Sequence, residues 1–486
     1  MRVCIFVRNT FTVDARVLKQ ARSISRAGHE TLVIALGSGD LPEHERRDGF
    51  EVRRVSPMLT WRDGFPRLTG AQPTSEEGSN DEGTEPRVAA TAAAPHATAP
   101  VAERSNVLRW TVTGRGAPPR SWPGGSAGPA DRVVFALRLA GRVPMQRSRR
   151  VLRKASRSSK RARVRLRRRV LRPTRFRQVE RRMARAAIVF RPDVCWANDA
   201  DTLRPAWAAA RATGARLVYD AHEVIWDDRS LKPAWRLRWW LVEASHVRRA
   251  SRVVTVCEPI ADLMAKRYRI RRPVVVLNCP SATQTTASYA EERSPLREHA
   301  RPGERIVLFH GSLSPHRGVE ELIRAMPLLP RDVRLVVLGH GAHGSVLQAL
   351  ATESSAAERI TFLPSVPAAE LPAWLAGADI GTIPYLRIGR NHEFSTPNKL
   401  FEYMHLGIPV VVNDLPEVRR IVSEVGFGIV RDCSDPAQIA AAIEALLGEP
   451  ARYAEMRANA LAGAPRYTWE VEEPKLLAAL DAHQNV

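Results

Sequence analysis

Cysteine is scarce in this sequence and nowhere paired. The five residues Cys4, Cys195, Cys257, Cys279 and Cys433 are odd in number and widely scattered, which argues against a disulfide framework and against a zinc site. A reducing compartment suits such a chain. Long apolar runs are also missing. No stretch approaches the roughly 18 uninterrupted apolar residues that span a bilayer, and the opening MRVCIFVRNTF has too short an apolar run for an export signal. The expectation is a cytoplasmic protein, at most peripheral on the inner face of the cell membrane. Acidic residues are few as well: 51 Asp and Glu stand against 74 Lys and Arg, for a formal charge of +23.

A charge of that size ordinarily points to nucleic acid, but its position matters more than its total. Between Arg147 and Arg182, 18 Lys and Arg meet the single Glu180, so most of the excess lies in one arm rather than over a basic domain. Aromatic side chains for base stacking are nearly absent there, which makes nucleic acid an unlikely partner. Two readings stay open: a solvated charged helix, or an arm lying through 131–182 on an anionic membrane. The alternation RVRLRRRVL leans toward the second.

The 486 residues, 44% of them apolar, are enough for two or three cores. From Arg2 to Leu36 an apolar run (VCIFV), a polar loop, a helical period and a second run (TLVIAL) read as a βαβ unit. Strand-like runs recur at VCWA (194–197), RLVYD (216–220), RVVTV (252–256) and PVVVLN (273–278). A second series starts near Arg305: IVLFHG, RLVVLG, ITFLPSV, DIGTIPY and IPVVVND, with helices at 318–326, 344–352, 397–406 and around IAAAIEALL. The fold class expected is α/β, with two Rossmann-like doubly wound parallel-sheet domains facing a cleft. The first domain covers 1–280, with a disordered Pro-, Gly- and Ala-rich insertion at 64–130 and a basic helical arm at 131–187. A linker at 281–303 leads to the second domain, 304–465, and a tail helix at 466–486 packs back on the first.

In open sheets ligands sit beyond the carboxyl ends of the strands. That rule selects Asp14 and Arg16 after the first strand, Asn198, Asp199 and Asp201 after VCWA, and His222 after RLVYD on one wall of the cleft. On the opposite wall it selects Gly311, Ser312, Gly339, Gly341 and Val366. Thr396 reads as an N-cap and Pro397 as the first helical residue. That helix start offers the amides of Asn398 and Lys399, beside the Lys399 charge, to a diphosphate. Glu402, one turn deeper, is placed to accept from ribose hydroxyls. An ordinary capped helix with exposed Lys and Glu is the plainer alternative, and turn formation is the plainer role for the Asx residues. No acidic pair stands in a setting that demands a metal, so none is expected.

The string PNKLFEYM followed by GIPVV and DLPEV resembles the donor-binding helix of retaining family-4 glycosyltransferases, which have the GT-B fold. HGSLSPHRGVEELIRA, VRLVVLGHG, LAGADIGTIPY, NTFTVDARVLKQARSISRAGHE, PDVCWANDADTL and YDAHE agree with it in order and spacing. The resemblance implies a hexosyltransferase-type enzyme that takes a nucleotide diphosphate sugar as co-substrate and needs no further cofactor. The acceptor would be a glycan or a lipid-linked hydroxyl. It makes Glu402 the ribose-binding carboxylate, Arg317 the cation on the diphosphate, and His222 a contact to the donor sugar or acceptor, with Lys399 at the helix start adding positive charge. Two departures stand out. The family commonly has a first Glu eight positions before the second, where this chain has Phe394 with Glu393 beside it, and the basic residue common after the first Gly of the phosphate loop is Ser312. A nucleotide-sugar epimerase of the same fold, a nucleic-acid-binding protein and a non-catalytic relative are the alternatives. GHGAHG (339–344) fits a dinucleotide fingerprint literally, but it lies in the second strand of its domain and no acidic residue closes the next one.

Overall fold

The computed structural model describes residues 1–12, 14–56, 174–229, 231–282 and 293–481. The insertion expected at 64–130, most of the arm expected at 131–187 and residues 283–292 of the linker lie outside the described residues.

The first sheet has eight strands in the order β3-β4-β2-β1-β5-β6-β7-β8. Its centre is β1 (Arg2–Phe6), where Val3 to Phe6 are all fully buried. Continuous apolar runs of this kind are what a parallel strand covered on both faces requires. Strand β1 pairs in parallel with β2 (Glu30–Leu36) on one side and β5 (Val194–Asn198) on the other. Between β1 and β2, α1 (Ala15–Arg26) is capped by Asp14, whose carboxylate accepts from Val17 N at 3.0 Å. Beyond β2, β3 (His44–Arg47) and β4 (Phe50–Val55) form an antiparallel hairpin that the reading by apolar runs passes over. Asp48 and Gly49 turn it with φ 52° and 83°. An Asp-Gly pair between two short runs is the local signal for such a turn.

The chain returns in α2 (Thr174–Phe190), which buries Val179, Met183, Ala186 and Ala187 against the sheet and against α3 (Leu203–Thr213). The basic run therefore ends in a packed crossover helix and not in an exposed arm reaching 187, because from Val179 onward an apolar residue recurs at helical spacing. Strand β6 (Arg216–Ala221), α4 (Pro233–His246), β7 (Arg252–Thr255), α5 (Glu258–Tyr268) and the short β8 (Val274–Val275) complete the domain.

The second sheet is wholly parallel, in the order β11-β10-β9-β12-β13-β14. Its strands are β9 (Arg305–His310), β10 (Val333–Leu338), β11 (Ile360–Leu363), β12 (Ile380–Ile383), β13 (Val410–Asn413) and β14 (Gly428–Arg431). The helices between and after them are α6 (Val319–Ala325), α7 (Gly344–Thr352), α8 (Leu371–Leu375), α9 (Arg390–Glu393), α10 (Asn398–His405), α11 (Pro416–Val425), α12 (Pro436–Gly448) and α13 (Pro450–Gly463). In each sheet the strand order reverses beside the first strand, β1/β5 and β9/β12, which is where a doubly wound sheet opens a crevice. A last helix, α14 (Trp469–Asp481), packs on α1 and on β7 and β8. Trp469 Nε1 donates to Ser23 Oγ at 2.8 Å, and Leu476, Ala479 and Leu480 join the core that holds Ile5, Val17 and Ile24.

Two glycines let the loops of the second sheet close on each other. A Cβ on Gly339 would stand 1.9 Å from Gly311 O, and one on Gly318, at φ 75°, would stand 2.0 Å from Pro384 O. Both contacts are with backbone and cannot relax by a rotamer change. Gly339→Ala is expected to lower unfolding free energy by about 2 kcal/mol or more, read by denaturant titration. Gly303→Ala, where nothing lies within 4 Å of the added carbon but φ is positive, should cost less.

Candidate active site

The carboxyl ends of both sheets line a cavity of about 750 Å³. The first domain contributes Asn9, Thr10, Thr12 and Asp14 after β1, Arg16 at the start of α1, His222 and Glu223 after β6, and Asn278 after β8. The second contributes His310 and Gly311 after β9, Arg317, Tyr385 after β12, Asn391, His392, and Ser395 to Lys399 with Glu402.

The first wall is organised around a carboxylate that no solvent reaches. Asp220, at the end of β6, receives Arg16 through Nη2 at 2.9 and 3.1 Å and through Nε at 3.3 Å, while Arg16 Nη1 donates to Val276 O at 2.8 Å. Burial works against the Asp220 charge, yet Arg16 and His222 hold its carboxyl well below the usual range. His222 stands between two carboxylates, with Nδ1 3.2 Å from Asp199 Oδ2 and Nε2 3.4 Å from Asp220 Oδ2. Burial again opposes the charge, but Asp199 and Asp220 outweigh it and raise the ring to about 10. Arg16 and His222, whose Nε2 also lies 3.1 Å from Arg16 Nε, together balance the two carboxylates, and His222 lines the cleft.

On the second wall Lys399 is buried at the start of α10, donating to His310 O and lying 3.9 Å above the Phe309 ring. Burial, then Arg317, lowers its pKa, with Tyr385 and Glu402 opposing. Arg317 stacks on Tyr385 at 4.3 Å and reaches Ser314 Oγ at 3.3 Å. For Tyr385, burial raises the phenol, but Lys399 and Arg317 more than offset it and the net shift is downward. Glu402 lies one turn below. Burial raises it to about 7 against the pull of Lys399 and Lys19, and its Oε2 is 3.3 Å from His310 Nε2. Burial and Lys399 hold His310 well below its ordinary value, so that ring is neutral. Helix α10 leaves the first amides, those of Asn398 and Lys399, without an intrahelical acceptor. The cavity floor is thus two cations, a helix start and one carboxylate.

The sequence-selected residues divide. Asp14, Arg16, His222, Gly311, Arg317, Thr396, Pro397, Asn398, Lys399 and Glu402 line the cleft, whereas Ser312, Gly339, Gly341, Val366, Asn198, Asp199 and Asp201 do not. Gly339 and Gly341 instead let the loop after β10 pass against the carbonyls of Gly311 and Leu313. Asn198 is buried, with Nδ2 shared between Phe6 O and Gln20 Oε1 at 3.2 Å each. Asp199, at φ 60°, orients His222 and also accepts from its backbone N at 3.0 Å. Asp201 is raised to about 7 by burial and by Asp199, with Arg8 opposing. Thr396 does not cap α10. Pro397 takes the cap position with an extended backbone (φ −66°, ψ 138°), so the helix begins one residue later than expected. Neither Glu393 nor Phe394 lines the cleft. Phe394 packs on the first domain, and its carbonyl accepts from the Cys257 thiol at 3.1 Å. Asn9, Glu223, Asn278, His310 and Tyr385 escaped the sequence reading. Each stands at or just past a strand end, and that position was the available signal. Among the described residues no group of three or more His, Cys, Asp or Glu is placed to hold a metal ion.

Two doubly wound domains whose switch points share one cleft, floored by cations and a helix start, define the GT-B class. In sequence, "Glycosyltransferase Family 4" matches residues 131–283 and "Glycosyl transferases group 1" matches residues 304–449. The chain belongs to the family-4 glycosyltransferases. Among curated relatives, the D-inositol 3-phosphate glycosyltransferase of Xylanimonas cellulosilytica is 32% identical over 195 residues, 39% of this chain and 45% of that protein. A GDP-mannose-dependent alpha-(1-6)-phosphatidylinositol monomannoside mannosyltransferase of Mycolicibacterium smegmatis is 32% identical over 179 residues, 36% of this chain and 47% of the relative. The matched part is thus about half the length of each relative. Among solved structures, Anabaena HepE in complex with UDP and glucose superposes with a TM-score of 0.62 at 14% identity over 99% of both chains. Sucrose-phosphate synthase from Thermosynechococcus elongatus superposes with 0.62 at 14% over 98% of both. At such identity the likeness shows the fold alone.

Two titrations test this electrostatic arrangement. Asp199→Asn is expected to lower the His222 pKa from about 10 by about one to two units, read from the imidazole NMR signal. Glu402 is raised by burial, so the fold favours its protonated form and loses stability as pH climbs from the ordinary carboxyl value through about 7. Glu402→Gln should therefore melt a few degrees above wild type at alkaline pH, with the difference vanishing in acid.

Proposed function

We propose that this protein transfers a sugar from a nucleotide diphosphate sugar to an acceptor hydroxyl, with retention of anomeric configuration and without a metal ion. The observation that carries the reading is the convergence of Arg317, Lys399 and the α10 start on one side of the cleft, with Glu402 a turn deeper. Departure of a nucleoside diphosphate leaves negative charge on its β-phosphate, and fixed cations and amide dipoles stabilise that charge as it develops. Glu402, ionised, accepts from the ribose hydroxyls and orients the nucleotide. The acceptor enters along the opposite wall, past Asp14 and the His222 ring. Its oxygen attacks the anomeric carbon from the face the phosphate leaves. The bond from that carbon to the phosphate oxygen breaks, and the hydroxyl proton passes to the departing phosphate.

Relatives whose names specify GDP-mannose, inositol phosphate and phosphatidylinositol mannoside support a phosphorylated or lipid-linked acceptor, met at the inner face of the membrane. No helix among the described residues is long and apolar enough to cross a membrane.

The test is a panel of nucleotide diphosphate sugars screened by thermal shift and then by turnover. One donor is expected to stabilise the wild type but neither Arg317→Ala nor Glu402→Ala, and Arg317→Ala should lower kcat/KM by on the order of 10²- to 10³-fold. Because only the ionised Glu402 accepts two hydroxyls, donor affinity should rise as pH climbs through about 7, and Glu402→Gln should flatten that rise. Stabilisation by no donor and by none of UDP, GDP or ADP would sink the proposal.

A further inference from the structure

A second cavity, of about 430 Å³, lies between α2, α3 and α4 and shares no lining residue with the cleft. Arg177 and Arg181 enter it from α2, Arg204 and Trp207 from α3, and His246 from the end of α4. Its one acidic lining residue, Glu180, is already engaged, 2.9 Å from Arg204 and 3.4 Å from Arg238. Among the described residues, three guanidinium groups thus share a pocket whose one carboxylate is held. Arg177 Nε is buried with no hydrogen-bond partner, and an acceptor reaching it would supply the missing bond. Arg249 stands over the Trp207 ring at 5.4 Å and adds a further positive charge beside the pocket.

The arginines come from two helices and approach from different directions. A planar carboxylate satisfies one guanidinium fork. A tetrahedral dianion offers acceptor oxygens in several directions and carries the charge to match. Trp207 supplies an apolar wall for the carbon skeleton behind it. We propose that this pocket binds a phosphate monoester, borne by a soluble metabolite or by an anionic lipid headgroup. The basic run of the sequence thereby ends in a built binding site, with Arg177 and Arg181 as its principal ligands.

The test uses the full chain and does not depend on any nucleotide sugar. Inorganic phosphate and glycerol 3-phosphate are titrated by calorimetry. Binding to phosphatidylcholine vesicles with and without phosphatidic acid is followed by co-sedimentation. Wild type is compared with the pair R177Q/R181Q and with R26Q/R331Q, which removes the same charge at two exposed sites elsewhere. The pocket pair is expected to bind at least roughly tenfold more weakly, with the control pair behaving as wild type. Capture of the soluble probes identifies a free phosphate ester as the source, and capture of phosphatidic acid vesicles alone identifies a headgroup. Undiminished binding by the pocket pair, equal loss in the control pair, or binding of no probe would overturn the proposal. Should melting show that the double variant is unfolded, R181Q alone, at an exposed position, carries the same comparison.

Discussion

The Asp220 carboxylate is fully buried, and Arg16 and His222 are fastened to it. Arg16 brings α1 and, by donating to the Val276 carbonyl, holds the end of the sheet, while His222 continues the strand on which Asp220 itself sits. A buried carboxylate without partners is prohibitive, and removing one partner of a buried pair costs about 3–5 kcal/mol. The geometry of this wall therefore cannot drift without breaking the domain. The same ion pair that holds α1 on the sheet also sets the charge and orientation of the His222 ring that lines the cleft. Stability and site geometry are here one interaction.

The second wall is built on a different economy. Lys399 is buried against Phe309, Tyr385 and the His310 carbonyl, and its proton affinity is depressed by that burial. A cation kept short of counter-charge in a water-poor pocket is poised to gain from an arriving anion. Glu402, pushed up by burial in the same pocket, is likewise held in the form it can give up when hydroxyls arrive to solvate its charge. Both groups are destabilised in the empty cleft in ways that a bound nucleotide would relieve.

The walls meet through a few polar contacts. Asn278 Nδ2 donates to Asn398 Oδ1 at 2.9 Å, Val224 N to Asn391 Oδ1 at 2.8 Å, and Arg390 N to Asp227 Oδ2 at 2.8 Å. Two of these join the segment just after His222 to the segment just before the α10 start. Phe394, where the family commonly has a carboxylate, is spent on this junction rather than on the cleft. The departure noticed in the sequence is thus a change of use, from a wall residue to a packing residue.

What the sequence determined by itself was the periodic part. Alternating apolar runs and helical periods identified the parallel strands from β1 to β13, apart from β4, and the PNKLFEYM string located α10 and its Glu402. The D-G hairpin at 48–49 was equally local and was missed only because its strands are short and charged. The sequence also selected the correct strand ends, since a doubly wound sheet places its crevice there by topology alone. It could not tell which side chains at those ends turn toward the cleft. Asn198, Asp199 and Asp201 follow β5 as plausibly as His222 follows β6, yet Asn198 is consumed by Phe6 and Gln20 and Asp199 by His222. Nor could it show that the last arginines of a solvent-like basic run share a pocket with α3 and α4. Those outcomes depend on partners more than 20 residues away in the chain, and a buried polar group takes whichever partner the packing supplies. Only the tertiary structure decides that.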